Sequence, residues 1–479
     1  MSDFVFTRKR DGSYQVDGYN GSSSVVTIPA EHEGKPVTAI SDNAFSWSYQ
    51  IRKIIIPDSV TVIGEAAFSW CESLQEAKIP DSIKTIGEWA FIGCSSLKKI
   101  RLPSSLKKIH YSTFQSCSSL VSVEIPETVR SIGPEAFSEC RSLTAVKLPD
   151  SLTSIGDNAF SACESLTSVT VPSKLSELGN NVFSGCTSLS SFIIADGHPC
   201  FSCINGALIS LREKKLVFFP FDKTIRSYQV PENVNVIGEE AFANRTHLEE
   251  IHLPDSVSAI EAKAFYGCKA LKAITIPDSV RSIGSNAFHS CSNLKTAVLP
   301  SGLKLIDYSV FYACSLLETV VLPESVRIIS SCAFSGCGSL TEIVFPDGLL
   351  DIGDAAFEGC RSLETVRLPD SLEILGAHVF GSCIMLDSAV LSARMKEIPA
   401  HAFTRCENLN QVIIPEGIES IRSEAFESCE NLLTLQIPAS VTEIEPDAFN
   451  NCRHLMLFVY PDSYALNYAK DQAVLYSEI

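Results

Sequence analysis

A phenylalanine recurs every 23 residues along most of this 479-residue chain. Seven copies precede, and ten follow, a single longer interval of 59 residues between Phe183 and Phe242. A repeat of 23 residues, which we call a coil, is too short to bury its own apolar side chains, so burial must occur between stacked neighbours. The sequence therefore predicts a solenoid of about seventeen coils. The repeat phenylalanines are Phe45, Phe68, Phe91, Phe114, Phe137, Phe160, Phe183, Phe242, Phe265, Phe288, Phe311, Phe334, Phe357, Phe380, Phe403, Phe426 and Phe449.

Each coil is predicted to be mainly β. A leucine follows the phenylalanine by six residues in sixteen of the seventeen coils, with Ile51 as the exception. From that leucine to the next proline, a run such as 166–171 places apolar residues at spacings of three and two, which indicates a short strand. The proline ends the strand because it has no N–H for a ladder, and Asp58-Ser59 after it suits a turn. Val60 and Ile63 suit a second short extended piece.

These residues resemble the BspA-like leucine-rich repeats, whose unit L-P-x-S-[LV]-x-x-I-G-x-x-A-F-x-x-C-x-x-L is matched almost throughout residues 40 to 461. The resemblance implies a right-handed leucine-rich-repeat-type array with a cap at each end. It also implies a binding or adhesion scaffold at the cell surface, as in bacteria and some protists. Such a scaffold would engage a protein, such as a host surface or matrix protein, or a glycan along its strand face.

The chain divides into five predicted segments. Residues 1–39 form an N-terminal β cap, 40–194 a first repeat segment of seven coils, and 195–230 a β-hairpin insertion. The insertion contains Asn205-Gly206 between two apolar runs, which is typical of a two-residue hairpin turn. Residues 231–460 form a second repeat segment of ten coils, and 461–479 a C-terminal cap with a short helix.

Fifteen of the 18 cysteines lie three residues after the repeat phenylalanine, from Cys71 to Cys452. Equivalent positions stack in a solenoid, so we expect an inward column of small, reduced and inert side chains. A column does not give the closed geometry of a metal site, and parallel side chains argue against disulfides, although the rung spacing alone does not exclude them. Cys200 and Cys203, with His198 nearby, have the spacing of a metal site or a redox disulfide, but they supply only three candidate ligands, and strand alternation explains them without any site. We expect no metal and no cofactor.

Composition and motifs narrow the function further. There are 56 acidic and 38 basic residues, a net charge of −18, which disfavours binding to nucleic acid or anionic lipid. No run approaches the ~20 apolar residues of a spanning helix, so membrane insertion is not expected. The first residues do not have the pattern of a signal peptide, so a cytoplasmic location stays open beside the cell surface or secretion that the resemblance implies. No nucleophile or phosphate-binding motif is present, and we expect no enzyme.

The remaining candidate is a surface on the second repeat segment. The central outward position of the leucine strand lies ten residues after each phenylalanine and is charged in the first segment, as at Lys78, Arg101, Glu124 and Lys147. In the second segment it is largely apolar, which is typical of a partner site, although strand propensity alone also favours valine there. The candidate partner-binding residues are Val298, Val321 and Val344, flanked by Thr296, Thr319 and Glu342. The alternative function is an intracellular structural or interaction protein with no adhesive role.

Overall fold

The computed structural model describes residues 3–479. Its residues form two compact units. The first comprises residues up to Arg212 together with Phe218–Asp222, and the second comprises Glu213–Val217 and Lys223–Ile479.

Antiparallel strands begin the first unit. Phe4–Arg8 pairs with Tyr14–Tyr19, which in turn pairs in parallel with Lys35–Ile40. Lys35–Ile40 continues in parallel into Val62–Ile63 of the first repeats, so the N-terminal sheet covers the edge that these repeats would otherwise expose. The other strands of this region are Val25–Thr27 and Glu31–His32.

Most coils contribute a strand of three residues after the leucine, which we call the leucine strand. Its middle residue is buried and its outer two point outward, as alternation requires. Successive leucine strands pair in parallel with a register of 23 residues, for example Lys99↔Ser122. The leucine strands are Lys53–Ile55, Glu76–Lys78, Lys99–Arg101, Ser122–Glu124, Ala145–Lys147, Ser168–Thr170, Ser191–Ile193, Ser227–Gln229, Glu250–His252, Ala273–Thr275, Thr296–Val298, Thr319–Val321, Thr365–Arg367, Ser388–Val390, Gln411–Ile413, Thr434–Gln436 and Met456–Val459.

A second, two-residue strand lies before the phenylalanine of most coils and ends in a buried aliphatic residue, such as Ile86. These strands also pair in parallel from coil to coil. They are Val62–Ile63, Thr85–Ile86, Lys108–Ile109, Ser131–Ile132, Ser154–Ile155, Glu177–Leu178, Val236–Ile237, Ala259–Ile260, Ser282–Ile283, Leu305–Ile306, Ile328–Ile329, Asp351–Ile352, Ile374–Leu375, Glu397–Ile398, Ser420–Ile421 and Glu443–Ile444.

Two tight turns frame every phenylalanine. The residue two positions after it has a positive φ in every coil, and the residue two positions before it does so in all but the last. This left-handed backbone favours glycine, which is present at the later position in five coils. Cys332 is at the earlier position, with φ 58°, so it belongs to a turn and lies outside the cysteine column.

The phenylalanine rings stack along each unit. Successive ring centroids are 5.1 to 6.1 Å apart from Phe45 to Phe183, and 5.1 to 5.7 Å apart from Phe242 to Phe449. The leucine six residues later is buried beside each ring; Leu317, for example, is fully buried. These two columns form the core, as the sequence predicts.

The fifteen column cysteines form two runs of hydrogen bonds, six in the first unit and nine in the second, which together we call the thiol ladder. Each Sγ donates to the backbone carbonyl of a phenylalanine 26 residues earlier, at 3.0 to 3.3 Å. The same carbonyl also accepts the backbone N–H of the residue three positions later in its own coil, as Phe288 does from Cys291 at 3.1 Å. All the thiols are free, and only Cys452 is less than fully buried. The cysteine is therefore a hydrogen-bond donor that joins neighbouring coils, in addition to filling the core.

The predicted hairpin is present in the first unit. Phe201–Ile204 and Ala207–Ser210 pair antiparallel around Asn205-Gly206, and both turn residues have positive φ, as a type I′ turn requires. The strand Lys215–Phe218 pairs through Lys215 and Leu216, which belong to the second unit, with Val236–Ile237. Ser227–Gln229 pairs with Glu250–His252, so regular coil pairing begins before Phe242.

A short helix lies beside the last repeats. It spans Tyr464–Asp471, and the Ser463 side chain caps its start by accepting the N–H of Leu466. Leu475–Glu478 then pairs in parallel with Met456–Val459. The predicted mainly β solenoid with terminal caps and one hairpin insertion is confirmed. Across residues 3–479, no helix has both the length and the apolar character needed to cross a membrane.

Candidate binding surface

The candidate surface lies on the leucine strands of the second unit. We call Val298, Val321 and Val344 the valine column. Thr296–Val298 and Thr319–Val321 pair in parallel with Thr296 opposite Thr319 and Val298 opposite Val321, so equivalent side chains are adjacent. The intervening residues Ala297 and Val320 point inward and are buried.

The valine column is well exposed to solvent. The exposed fractions are 53% for Val298 and 76% for both Val321 and Val344. Thr296, Thr319 and Glu342 beside them are exposed too. The structure thus places all six candidate residues outward, with three apolar side chains at equivalent positions of consecutive coils.

The third member of the column differs in its backbone. Residues 342–344 form no regular strand, and the sheet that contains Thr319–Val321 ends at that strand. In this coil Phe345 takes the buried position where the two preceding coils have Leu299 and Leu322, and its ring packs edge-on against Phe357 at 5.5 Å. The bulkier ring lies directly after the segment that loses its strand, and the repeat pattern did not reveal this interruption.

Four consecutive coils of the first unit have charged residues at the equivalent position, whereas Ile193 is an exposed apolar residue there. Lys78, Arg101, Glu124 and Lys147 are exposed at the same strand position. Arg101 forms an ion pair with Asp81 at 2.8 Å. The backbone N–H of Ser104 and the Arg101 guanidinium lower the pKa of Asp81 to about 2, so this carboxylate is charged at neutral pH.

Sequence reasoning missed further exposed apolar side chains in the coils of the valine column. They occupy several different positions of the 23-residue repeat, so no single repeat position revealed them. Tyr312 stacks on His289, with ring centroids 4.6 Å apart, and His289 stacks on Tyr266 at 4.8 Å. The additional exposed side chains are Leu305, Tyr308, Tyr312, Leu316 and Ile328.

A shallow open groove flanks the next leucine strands of the same unit. Its lining includes Met385, Asn408 and Asn431, which are equivalent residues of three consecutive coils. The amide of Asn408 donates to the Met385 sulfur at 3.5 Å, and that of Asn431 donates to Asn408 at 3.4 Å. The groove therefore continues the exposed strand face with a row of amide groups.

The Cys200 and Cys203 pair does not converge on His198. The His198 Nδ1 accepts the backbone N–H groups of Cys200 and Phe201, both at 3.2 Å, and its Nε2 lies 2.9 Å from the carbonyl of Pro172. Both ring nitrogens thus stabilise the loop before the hairpin. Within residues 3–479, no three His, Cys, Asp or Glu side chains are grouped so that they could hold a metal ion.

The solved structures that are similar to this chain include two bacterial leucine-rich repeat proteins. A leucine-rich repeat protein from Bacteroides ovatus is 31% identical, with a TM-score of 0.54, and the match covers 86% of this chain and 99% of the other. A leucine-rich cell surface protein from Faecalibacterium prausnitzii is 27% identical, with a TM-score of 0.53, and the match covers 86% of this chain and 93% of the other. No curated protein sequence matches significantly.

The family model for the BspA type leucine rich repeat region matches six copies, over residues 38–134, 114–207, 218–341 and 327–456. These matches span most of the chain and include both repeat segments. They agree with the stacked phenylalanines, leucines and cysteines described above. The chain therefore belongs to the BspA-type leucine-rich repeat family.

Proposed function

We propose that this protein is a non-enzymatic scaffold that binds another protein along the outward face of its leucine strands. The valine column, with Thr296, Thr319 and Glu342 beside it, forms the centre of the contact. The observation that carries the proposal is the exposure of three equivalent valines, two of them at 76%. Aliphatic side chains exposed at adjacent positions favour association, since covering them removes apolar surface from water.

Three features support this choice of surface. Strand propensity alone accounts for valine within a strand, but Val344 lies outside any regular strand and is still exposed. The same coils carry additional exposed apolar residues such as Leu316 and Tyr312. Lys295 and Glu318 form an ion pair at 3.0 Å beside the column and supply charges that could orient a partner.

Adhesion at the cell surface is the specific role that we propose for this scaffold. The similar protein from Faecalibacterium prausnitzii is described as a leucine rich cell surface protein, which supports that location. The alternative is an interaction protein inside the cell. Protease treatment of intact native cells distinguishes them, because only a surface protein is degraded before lysis.

The partner can be captured at the proposed contact itself. A photo-crosslinking amino acid at position 321 should become covalently attached to the partner, whereas the same group at position 101 should not. With the captured partner purified, Val321→Glu should weaken its affinity about tenfold or more, because a charge is buried against an apolar contact. The fold should be unaffected, since the Val321 side chain is 76% exposed.

Arg101→Glu is the matched control, because Arg101 occupies the equivalent strand position in the first unit. Its affinity for the captured partner should remain near that of the unmodified protein. Equal affinities for the unmodified protein and Val321→Glu would exclude the valine column. Crosslinking at position 101 in preference to 321 would also contradict the proposal.

A further inference from the structure

Three aromatic side chains form an exposed cluster in the first unit, which we call the aromatic notch: Trp47, Tyr49 and Trp70. The indoles of Trp47 and Trp70 stack with centroids 5.5 Å apart and planes 9° apart. Tyr49 lies 6.1 Å from Trp47 at an angle of 60°. Their exposed fractions are 54%, 49% and 36% for Trp47, Tyr49 and Trp70. Packing in the core therefore does not explain why aromatic residues are present at these positions.

The two tryptophans occupy a position that disfavours bulky side chains. They lie two residues after the phenylalanine, with φ of 63° at Trp47 and 57° at Trp70, where other coils have Gly185 or Ala162. A bulky residue in the left-handed region is strained, and such strain is concentrated at functional sites. The fold alone would favour glycine at both positions.

One face of the stacked pair is open. Trp70 has Trp47 on one face and Gly93 on the other, where an added Cβ would lie 2.5 Å from its ring. Trp70, covered on both faces, is 36% exposed, whereas Trp47 is 54% exposed. Trp47 lies in the first coil and has no preceding coil beside it, so we assign its additional exposure to its second face. Tyr49 stands at an angle beside that indole, so the notch has a flat aromatic floor and an aromatic wall.

The surroundings of the notch are polar, and the exposed charges near it include both signs: Arg52 is exposed, and its backbone N–H donates to the Ser24 carbonyl at 2.8 Å. The exposed segment Asn20–Ser24 is held next to it, because the Gln50 amide donates to the Gly21 carbonyl at 3.3 Å. Amide and hydroxyl groups of this kind both donate and accept hydrogen bonds. Glu72, which is equivalent to Tyr49 in the next coil, adds one exposed carboxylate acceptor.

The size of the notch favours a small, flat occupant. Three half-exposed aromatic side chains offer about 300 Å² of surface, since a whole aromatic side chain buries about 150–250 Å². A stable protein interface needs about 800 Å² on each partner. A pyranose ring with equatorial substituents instead presents a flat face of weakly positive C–H groups, which the negative face of an indole attracts, and a rim of hydroxyls.

We propose that the aromatic notch binds a neutral glycan, with a pyranose ring stacked on the open face of Trp47 and its hydroxyls bonded to the uncharged groups around it. This site is independent of the proposed protein contact, because the valine column belongs to the other compact unit. A variant that loses glycan binding at the notch should therefore keep protein binding at the valine column, and the reverse.

Calorimetric titration of the whole protein with cellohexaose, a neutral chain of equatorially substituted glucose rings, tests the proposal. Saturable binding is expected. Trp47→Ala should weaken it about tenfold, the equivalent of about 1.4 kcal/mol. Trp47→Phe, which keeps an aromatic face, should restore most of the affinity. Alanine is compatible with the fold here, because Ala162 and Ala313 occupy the same turn position.

Trp89→Ala is the matched control. Trp89 also has a positive φ, of 55°, but it packs edge-on against Tyr111 at 5.3 Å and takes no part in the notch. Its substitution should change the affinity for cellohexaose less than twofold. Absence of binding at millimolar cellohexaose would overturn the proposal, as would equal weakening by Trp47→Ala and Trp89→Ala. Self-association that Trp47→Ala abolishes would identify the notch as a protein contact instead, and would equally overturn it.

Discussion

Each ladder cysteine donates its thiol proton to a carbonyl of the preceding coil, and burial keeps that proton in place at Cys314, Cys360 and Cys406. Cys314 is fully buried and donates to Phe288 at 3.1 Å. Burial disfavours the charged thiolate and raises the pKa of the Cys314 thiol from 9.0 to about 12. Because nucleophilic attack requires the thiolate, we expect folded protein to resist alkylation at these positions, whereas denatured protein should react fully.

Because of the thiol ladder, the free energy of unfolding should decrease as the pH rises above 9. Because the pKa of Cys314 is raised, its contribution to stability is fully present below pH 9 and falls above it, since the unfolded chain loses its proton first. The fall ends near pH 12, where the folded thiol also loses its proton. Cys314→Ala should cost about 1–2 kcal/mol at pH 8. The difference from the unmodified protein should shrink by about 1.4 kcal/mol per pH unit above 9.

Urea unfolding at pH 8 and pH 10.5 measures this difference. Val310→Ala is the control, since Val310 is a buried residue of the same coil that does not titrate. The loss of unfolding free energy caused by Val310→Ala should be the same at both pH values. A cost of Cys314→Ala that also stayed constant would show that the thiol has no raised pKa in the folded protein.

At the scale of an element, most leucine strands are anchored by the buried leucine that lies two residues before them. Leu317 is fully buried, whereas its neighbour Leu316 is 41% exposed. Leu317→Ala should lower the free energy of unfolding by about 2–5 kcal/mol, because it removes buried methyl groups and leaves a cavity. Leu316→Ala should change it by less than about 0.5 kcal/mol.

The urea midpoints of the two variants check this prediction. Two leucines adjacent in sequence provide a close control, since composition and chain position are the same. Similar midpoints for Leu316→Ala and Leu317→Ala would mean that the inward face of the strand is assigned incorrectly.

At the scale of the whole molecule, a repeat array must cover its last strand edge. In the described chain, Leu475–Glu478 pairs with Met456–Val459, and the helix Tyr464–Asp471 buries Leu466 and Tyr468. Deleting residues 460–479 should expose both the strand edge and the end of the phenylalanine stack, and the truncated protein should self-associate.

Sedimentation velocity at several concentrations detects such self-association. A truncated protein that also carries Met456→Lys is the control, because a charge on an exposed edge disfavours strand pairing. It should associate less than the simple truncation. A truncated protein that stays monomeric at every concentration would show that residues 460–479 do not protect the edge.

Much of this fold is predictable because stacking forces equivalent residues into equivalent surroundings. The 23-residue period alone predicts that Phe45, Leu74 and Cys71 belong to the core, and the dipeptide Asn205-Gly206 predicts the hairpin. The outward position of Val321 follows from alternation within the strand. The lost strand before Phe345 does not follow from the period, because it is a departure from the repeat. Neither does the aromatic notch, since Trp47 and Trp70 lie at a turn position that most coils fill with small residues.

The constant separation of bonding partners has an evolutionary consequence. In most coils a thiol donates to a carbonyl 26 residues earlier, and a leucine strand pairs with a strand 23 residues away. A duplicated coil thus arrives with donors and acceptors that already match both neighbours. Unequal recombination between repeats can therefore lengthen or shorten the gene in steps of one coil while selection acts on the outward residues alone.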